Sequence, residues 1–513
     1  MAAVNDWLRM RADLTPTRVA LVDRVGRRGE LTYARWNADV DRTARFLAEK
    51  LSVGRGDRVA VLSMNCVEML DLWFACGKLG AIFQPLNWRL SPVELQELVR
   101  DAGAAVLVYG PDFTSQVEVL RMAATPLKRF VALDPGTAGP ADVRFSERDT
   151  VSDAPVRPAP VGPDDAWALC YTGGTTGLPK GALLTYRSVL ANAVNTVAGW
   201  GLDQDDCALL DAPLFHAGGL NVFTAPLVFA GGRSIVCKAF SADRVLELVA
   251  SRRISLYFGV PTMFLTLQAH SGFGAVDFAP LKLVITGGAP CPPPVFEAFW
   301  ARGVDFRMGY GLTEAGPNNF GMPKERVREK LGSVGFPLPQ VEVRIVSEGR
   351  DCRPGEVGEV LIRGPHVCGG YWQRPEETAR AIVDGWLHTG DLGRVDEEGF
   401  HAIVGRQKEL IISGGENVYP AEIEAVLAGH PAVAEAVVLG APDPRWGEVP
   451  RAVVALKAQA TADELTAFCL QRLGKYKVPR SFSFLLELPK TAAGKIDRRR
   501  LQAELSGGSE KSR

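Results

Sequence analysis

Histidine is scarce in this chain, six residues in 513, and no two stand at the H-x-x-x-H spacing of a helical metal site. The nine cysteines are odd in number and contain no C-x-x-C pair, so neither a zinc ribbon nor a thioredoxin-like redox centre is expected. They read as reduced thiols of a cytoplasmic protein. Net charge is only −1, which removes any global electrostatic case for nucleic acid. No apolar run approaches the ~18 residues that cross a bilayer, so no membrane span is expected. The opening MAAVNDWLRMRADLTP carries Asp and Arg early and has no continuous apolar region, unlike a signal peptide. Two familiar phosphate motifs are missing too. No Gly-Lys-Ser/Thr completes a Walker A loop in the chain's main Gly-rich stretch, and Gly309-Tyr310-Gly311-Leu312-Thr313 runs into Glu314 where a dinucleotide fingerprint needs its third glycine.

What is present is the composition of a soluble globular protein, 47% hydrophobic and 23% charged, long enough for two or more domains. Residues 1–160 alternate helix and strand patterns: Leu31–Glu49 helical, Arg58–Ser63 extended, Val67–Leu79 helical, Ala81–Leu86 extended, Pro92–Ala102 helical. That order argues for parallel α/β layers. Residues 136–163 read as a surface connection, and the alternation resumes over 205–310. From about 332 to 404 the texture changes to short β runs separated by Gly and Pro. After Gly405 come a Gly-rich hairpin at Ser413–Asn417, a helix at Pro420–Ala428, strands at Val433–Leu439 and Arg451–Leu456, and a helix at Ala462–Leu473. The expected fold class is α/β: a large N-terminal domain over 1–404 made of layered α/β subdomains with a β-rich part near 332–404, a hinge at 405–408, and a small mobile α+β domain over 409–513. Arg498–Arg500 reads as the solvated face of a C-terminal helix.

The richest local chemistry lies at residues 172–181, TGGTTGLPKG, with four glycines, three threonines and a lysine. Glycines let backbone N–H groups approach an anion closely, hydroxyls add donors, and Lys180 adds a point charge. Ala166–Tyr171 before it reads as a buried strand, and Thr185 after it as the N-cap of a helix, giving a strand–loop–helix setting for a polyphosphate. Further on, GYGLTE (309–314) joins an aromatic ring, a hydroxyl and a carboxylate. Tyr310 can stack on a base, and Glu314 can hold Mg²⁺ against phosphates. WLHTGDL (386–392) offers Asp391 to a ribose diol, and PKTAAGKID (489–497) offers Lys495.

In order, TGGTTGLPKG, PLFHAGG (213–219), GGAP (287–290), YGLTE (310–314), WLHTGDLG (386–393), GRQKELIISGGENVYPAEIE (405–424) and PKTAAGK (489–495) resemble the adenylate-forming superfamily. That group holds acyl-CoA synthetases, adenylation domains and firefly luciferase, and the pattern is nearest acyl- and aryl-CoA ligases. The resemblance spans nearly the whole chain. It implies that Thr172, Gly173, Gly174, Thr175, Thr176, Gly177 and Lys180 close over ATP phosphates. Gly287, Gly288, Ala289 and Pro290 would line the adenine and acyl sites, with Tyr310 and Gly311 at the base. Thr313 and Glu314 would meet the α-phosphate and Mg²⁺, and Asp391 with Arg406 would hold the ribose. His216 would stand at the mouth of an acyl pocket built with Phe215, Gly218, Asn221, Leu312 and Asn318. Lys408 matches the hinge, and Lys495 the lysine that drives adenylation. Two positions depart from the usual pattern: Gly173 replaces a hydroxyl residue, and Met308 replaces the amide that commonly faces adenine.

The implied reaction makes an acyl-adenylate and then a thioester. CoA is the favoured acceptor: PDPRWGE (442–448) and KYKVPR (475–480) resemble CoA-contacting segments, placing Gly414, Gly415, Trp446, Lys475, Tyr476 and Lys477 on its path. No fused carrier-protein domain is expected after Lys495. The alternatives are transfer to a separate carrier protein, to an amine or to another nucleophile, or a non-enzymatic descendant. No basic residue in the pocket segments pairs a second carboxylate, which points to a monocarboxylic acid, aromatic or short-to-medium aliphatic. Asn221, Asn318 and Asn319 suit either a polar ring substituent or loop backbone. Monomer and homodimer both stay open.

Overall fold

A computed structural model describes residues 6–26, 28–172, 179–414, 416–491 and 495–507. Gly173, Gly174, Thr175, Thr176, Gly177 and Gly415 lie outside the described residues. Two seven-stranded sheets dominate. The first runs, in spatial order, Val143–Arg144, Arg129–Ala132, Val106–Tyr109, Arg58–Leu62, Ile82–Pro85, Ala166–Thr172, Lys180–Thr185. All its pairings are parallel except the last, which is antiparallel. The second runs Phe306–Met308, Leu283–Thr286, Leu256–Gly259, Cys207–Leu210, Arg233–Val236, Val19–Asp23, Glu30–Thr32, again parallel but for its final pair. A six-stranded antiparallel sheet follows over 342–406. A small C-terminal domain holds a five-stranded sheet with helices Pro420–Ala428 and Ala462–Leu470. The molecule is thus a large α/β N-terminal part with a small C-terminal domain.

Local chemistry sets the helix ends. Helix Val67–Leu79 stops at Gly80, whose φ of 68° is left-handed and suits glycine. Helix Pro92–Ala102 starts on a Ser91/Glu94 capping box with proline in its first turn and stops at left-handed Gly103. Thr185 does cap the helix after the phosphate loop, Tyr186–Trp200. The expected strand–loop–helix setting is corrected in one respect. Lys180–Thr185 is a strand paired antiparallel to Ala166–Thr172, so the loop joins two neighbouring strands before the helix begins. Residues KGALLT are too few to show a period of their own, and cross-strand pairing fixes them. The C-terminal strands are also longer than expected, Val433–Asp443 and Gly447–Leu456, and the helix after them ends at Leu470.

Aromatic packing anchors the strand that enters the loop. Trp167 stacks on Trp73 at 5.0 Å and on Tyr186 at 5.3 Å. Its indole N–H donates to Trp73 O at 2.8 Å, and the Tyr186 hydroxyl donates to Gly77 O at 2.9 Å. The strand before the loop and the helix after it are therefore locked to one buried helix. Nearby, fully buried Asp71 on that helix accepts from Arg28 and Arg148, each at 2.6 Å, and from the Trp36 indole at 3.0 Å. Replacing it by alanine removes a fully buried carboxylate from both guanidiniums and leaves Arg28 its bond to Asp39 at 2.7 Å. Asp71→Ala is expected to lower N-terminal stability by about 3–5 kcal/mol. Calorimetry checks this as a fall in the N-terminal melting transition; an unchanged transition would refute it.

Candidate active site

The site residues gather where parallel strands end. Thr172 closes the strand Ala166–Thr172, His216 follows Cys207–Leu210, Gly287–Pro290 follow Leu283–Thr286, and Tyr310 follows Phe306–Met308. Carboxyl ends of parallel strands are where open α/β sheets leave a crevice for ligands. Glycines shape the floor. A Cβ on Gly311 would lie 2.2 Å from Pro317 O, so only glycine fits. Added carbons on Gly218 and Gly287 would touch Phe258 at 3.4 and 3.5 Å, which places the Phe258 ring beside both glycines. Phe215 itself is buried. It packs at 4.3 Å from the His216 ring and edge-on to Trp88. Leu312 is partly buried against the main core.

Glu314 is buried, and its Oε1 accepts hydrogen bonds from Thr172 at 3.2 Å and from Tyr371 at 3.0 Å. Tyr371 also lies under Lys180, whose ammonium stands 5.2 Å from the ring centre. So Thr172, Lys180 and Glu314, predicted separately, do meet. Tyr371 was missed: it sits in CGGYWQR, 57 residues from Glu314, and no spacing rule joins the two. Oxygen donors of this kind suit Mg²⁺, which binds through one or two carboxylates and keeps waters and substrate phosphates as its other ligands. No group of three or more His, Cys, Asp or Glu side chains that could hold a metal occurs among the described residues.

Tyr310 is half-buried, and its hydroxyl donates to Asp391 Oδ2 at 2.7 Å. The other carboxylate oxygen of Asp391 pairs with Arg406 Nε at 3.0 Å, because strands Trp386–Val395 and His401–Arg406 place the two residues opposite each other. Burial, then the Asp391 charge, holds the Tyr310 phenol well above its ordinary value. Met308 is partly buried against the apolar cluster that holds Val284 and Phe306.

Lys495 arrives from the C-terminal domain. A Cβ on Gly288 would stand 3.9 Å from its Cε, at the exposed edge formed by Gly288, Ala289 and Pro290. The residue keeps solvent exposure, yet its ammonium is partly desolvated and faces Arg406. Both hold its pKa below the ordinary lysine value, against the pull of Asp391 and Glu409. Three residues further on, Arg498 donates to Val438 O at 2.7 Å and bridges Glu424 and Glu409. The expectation of a solvated basic face is therefore wrong for Arg498. His216 Nε2 is buried without a partner among the described residues. Burial, then the charges of Lys495 and Arg89, push its imidazole down to about 4, so it is neutral at physiological pH.

On the C-terminal domain, Gly414 lies under the Trp446 ring, whose Cε3 would be 2.5 Å from an added Cβ. Lys477 is tied to Glu422 at 2.8 Å, while Lys475 and Tyr476 are exposed. Lys408 is exposed in the short turn Gln407–Glu409. Asn318 donates its amide N–H to the Asn221 and Val222 carbonyls, and Asn319 donates to Gly316 O. Of the two readings of these amides, their nitrogens serve loop backbone.

The cleft gathers Thr172, Lys180, Glu314, Tyr310 and Asp391, with Lys495 supplied by a second domain. The chain belongs to the AMP-binding enzyme family: residues 8–372 match that family and 422–495 match its C-terminal domain. It is 42% identical to a feruloyl-CoA synthase from Amycolatopsis over 96% of this chain and 97% of that protein. It is 38% identical to an indoleacetate–CoA ligase from Aromatoleum aromaticum, covering 96% of each. Among solved structures it resembles o-succinylbenzoate CoA synthetase from Bacillus subtilis bound to its acyl-adenylate, with 34% identity, a TM-score of 0.85, and coverage of 97% of this chain and 98% of that one. No described helix is long and apolar enough to cross a membrane.

The lysine assignment has a pH consequence. The ammonium is the working form, and it is lost as pH rises through a pKa below the ordinary 10.5. The kcat/KM of adenylate formation should therefore fall on an alkaline limb below that value. His216, neutral above about pH 4, should add no limb near neutrality. Lys495→Arg keeps the charge and should remove the alkaline limb; a limb unmoved in that variant would contradict the assignment.

Proposed function

We propose that this chain joins an aromatic monocarboxylic acid to CoA in two steps. In the first, a carboxylate oxygen attacks the α-phosphorus of ATP and pyrophosphate leaves, giving an acyl-adenylate. In the second, the CoA sulfur attacks the acyl carbon, AMP leaves with the bridging oxygen, and the thiol proton goes to solvent. The observation that carries the reading is Lys495 of the C-terminal domain lying against Gly288 in the nucleotide cleft.

The charges explain the parts. The carboxylate is already ionised near neutral pH, so no general base is required. The difficulty is the approach of two anions and the charge on the leaving group, so fixed positive groups do most of the catalysis. Lys495 is aimed at the α-phosphate oxygens and Lys180 at the phosphates beyond, with the loop 172–177 as cradle. Glu314, steadied by Thr172 and Tyr371, would hold Mg²⁺, which supplies further charge neutralisation on the phosphates when bound. Tyr310 stacks on adenine, and Asp391, shared by Tyr310 and Arg406, takes the ribose hydroxyls. Neutral His216 sits beside the acyl carbonyl, where a charged imidazolium would compete with Lys495 for the carboxylate. The Phe258 ring, beside Gly218 and Gly287, would form an apolar wall of the acid slot, which supports an aromatic acid.

We place the hinge at residues 405–408, with Lys408 as its pivot. Rotation there would withdraw Lys495 and bring Gly414 and Trp446 toward the adenylate, with Lys475, Tyr476 and Lys477 beside the CoA nucleotide. The nine cysteines are all free thiols, and all but Cys352 are buried, which supports a reducing, cytoplasmic setting.

The test separates the two steps. Lys495→Ala should cost about 3–4 kcal/mol or more in adenylate formation, by analogy with loss of an oxyanion donor. It should leave thioester formation from supplied acyl-AMP close to wild type. Equal loss in both steps would reject the lysine's role, and acyl-AMP formed without any acyl-CoA product would point to another acceptor.

A further inference from the structure

Three elements of the acid site converge on one backbone carbonyl. Asn192, on the helix Tyr186–Trp200, donates its amide N–H to Asn221 O at 2.7 Å. Asn318, four residues beyond Glu314, donates to the same oxygen at 3.2 Å, to Val222 O at 3.1 Å and to the Thr196 hydroxyl at 2.8 Å. Asn221 itself ends the short helix that begins after His216, one turn beyond Gly218 of the slot. Because the nitrogens of Asn192 and Asn318 are spent on acceptors, the other end of each amide is its oxygen.

Those oxygens are left over. Asn192, Asn221 and Asn318 are 1%, 3% and 1% exposed, and Oδ1 of each is buried with no hydrogen-bond partner among the described residues. The Thr196 hydroxyl cannot serve them, since it already donates to Asn192 O at 2.7 Å. Gly316, at φ +67°, packs close to one of them: an added Cβ would fall 2.8 Å from Asn192 Oδ1. Three carboxamide oxygens are acceptors only and cannot satisfy each other. Buried polar atoms are paired in almost every native protein, and a cluster of one sign calls for a ligand of the other. Here the missing partner is a donor.

We infer that Asn192, Asn221 and Asn318 form a recognition site for a hydrogen-bond donor on the acid, a phenolic hydroxyl or an aromatic amine at the ring position remote from the carboxylate. The inference rests on the aromatic acid–CoA ligase reading and adds the substituent that the pocket selects. A donor satisfies oxygens that an unsubstituted ring would leave buried and unpaired, the situation in which enzymes discriminate most strongly.

Pyrophosphate release is measured for 4-hydroxycinnamate, 4-aminocinnamate, 4-fluorocinnamate and cinnamate with ATP, Mg²⁺ and CoA. Fluorine is close to a hydroxyl in size but donates nothing. The two donor acids should exceed the other two by at least ~10-fold in kcat/KM. A smaller ratio with all four acids turning over overturns the inference alone, and means that buried water serves the amides. No release with any of the four overturns the aromatic-acid reading beneath it. Asn221→Leu, which removes one oxygen and keeps the backbone carbonyl, should narrow the ratio by raising turnover of cinnamate relative to 4-hydroxycinnamate. An active variant with the wild-type ratio removes Asn221 from the site, and if the variant is inactive toward every acid the wild-type series decides.

Discussion

A carboxylate and a triphosphate repel each other, and every part of this cleft answers that repulsion. Positive charge must face the α-phosphate during the attack, yet a thiol must later reach the same carbon from an accessible side. A fixed lysine in the cleft wall would obstruct the second requirement. Here Lys495 belongs to a separate small domain, three residues before Arg498, which is clamped by Glu424 and Glu409. The depressed pKa of Lys495 is the cost of standing partly desolvated beside Arg406.

The large part of the molecule supplies what does not move. Stacked Trp73, Trp167 and Tyr186 fasten the two elements that bracket the phosphate loop to one buried helix. Asp391 is held from two sides, by Tyr310 and Arg406, so its carboxylate is oriented before a ribose arrives. His216 is kept neutral by burial and by the neighbouring cations Lys495 and Arg89. Preorganisation of this kind lowers the reorganisation required during the chemical step.

Much of this could be read from the residues, and the rest could not, for identifiable reasons. Helices Val67–Leu79, Pro92–Ala102 and Pro420–Ala428 begin and end where expected, because left-handed glycines, a Ser91 capping box or an opening proline mark their ends locally. The strand Lys180–Thr185 escaped, since it exists only by pairing with Ala166–Thr172. Motif order brought Thr172, Glu314, Tyr310 and Asp391 into one site. It could not show that Tyr310 bonds Asp391, or that Tyr371 completes the surroundings of Glu314, because those are distances between remote residues. Asn318 was named for the pocket, and the structure divides its two ends, the nitrogen bonded to Thr196 and to loop backbone and the oxygen buried without a partner among the described residues. Arg498 looked like surface charge because nothing near it in sequence announces Glu409 and Glu424.

The most direct test follows the oxygen atoms. An aromatic acid labelled with ¹⁸O in both carboxylate positions is turned over with ATP and CoA, and AMP, pyrophosphate and acyl-CoA are weighed by mass spectrometry. If the carboxylate attacks the α-phosphorus and the thiol then displaces the nucleotide, each AMP carries one ¹⁸O, the thioester carries the other, and pyrophosphate carries none. Label in a terminal phosphate with release of ADP, or AMP free of label alongside acyl-CoA, would contradict adenylate formation at this site.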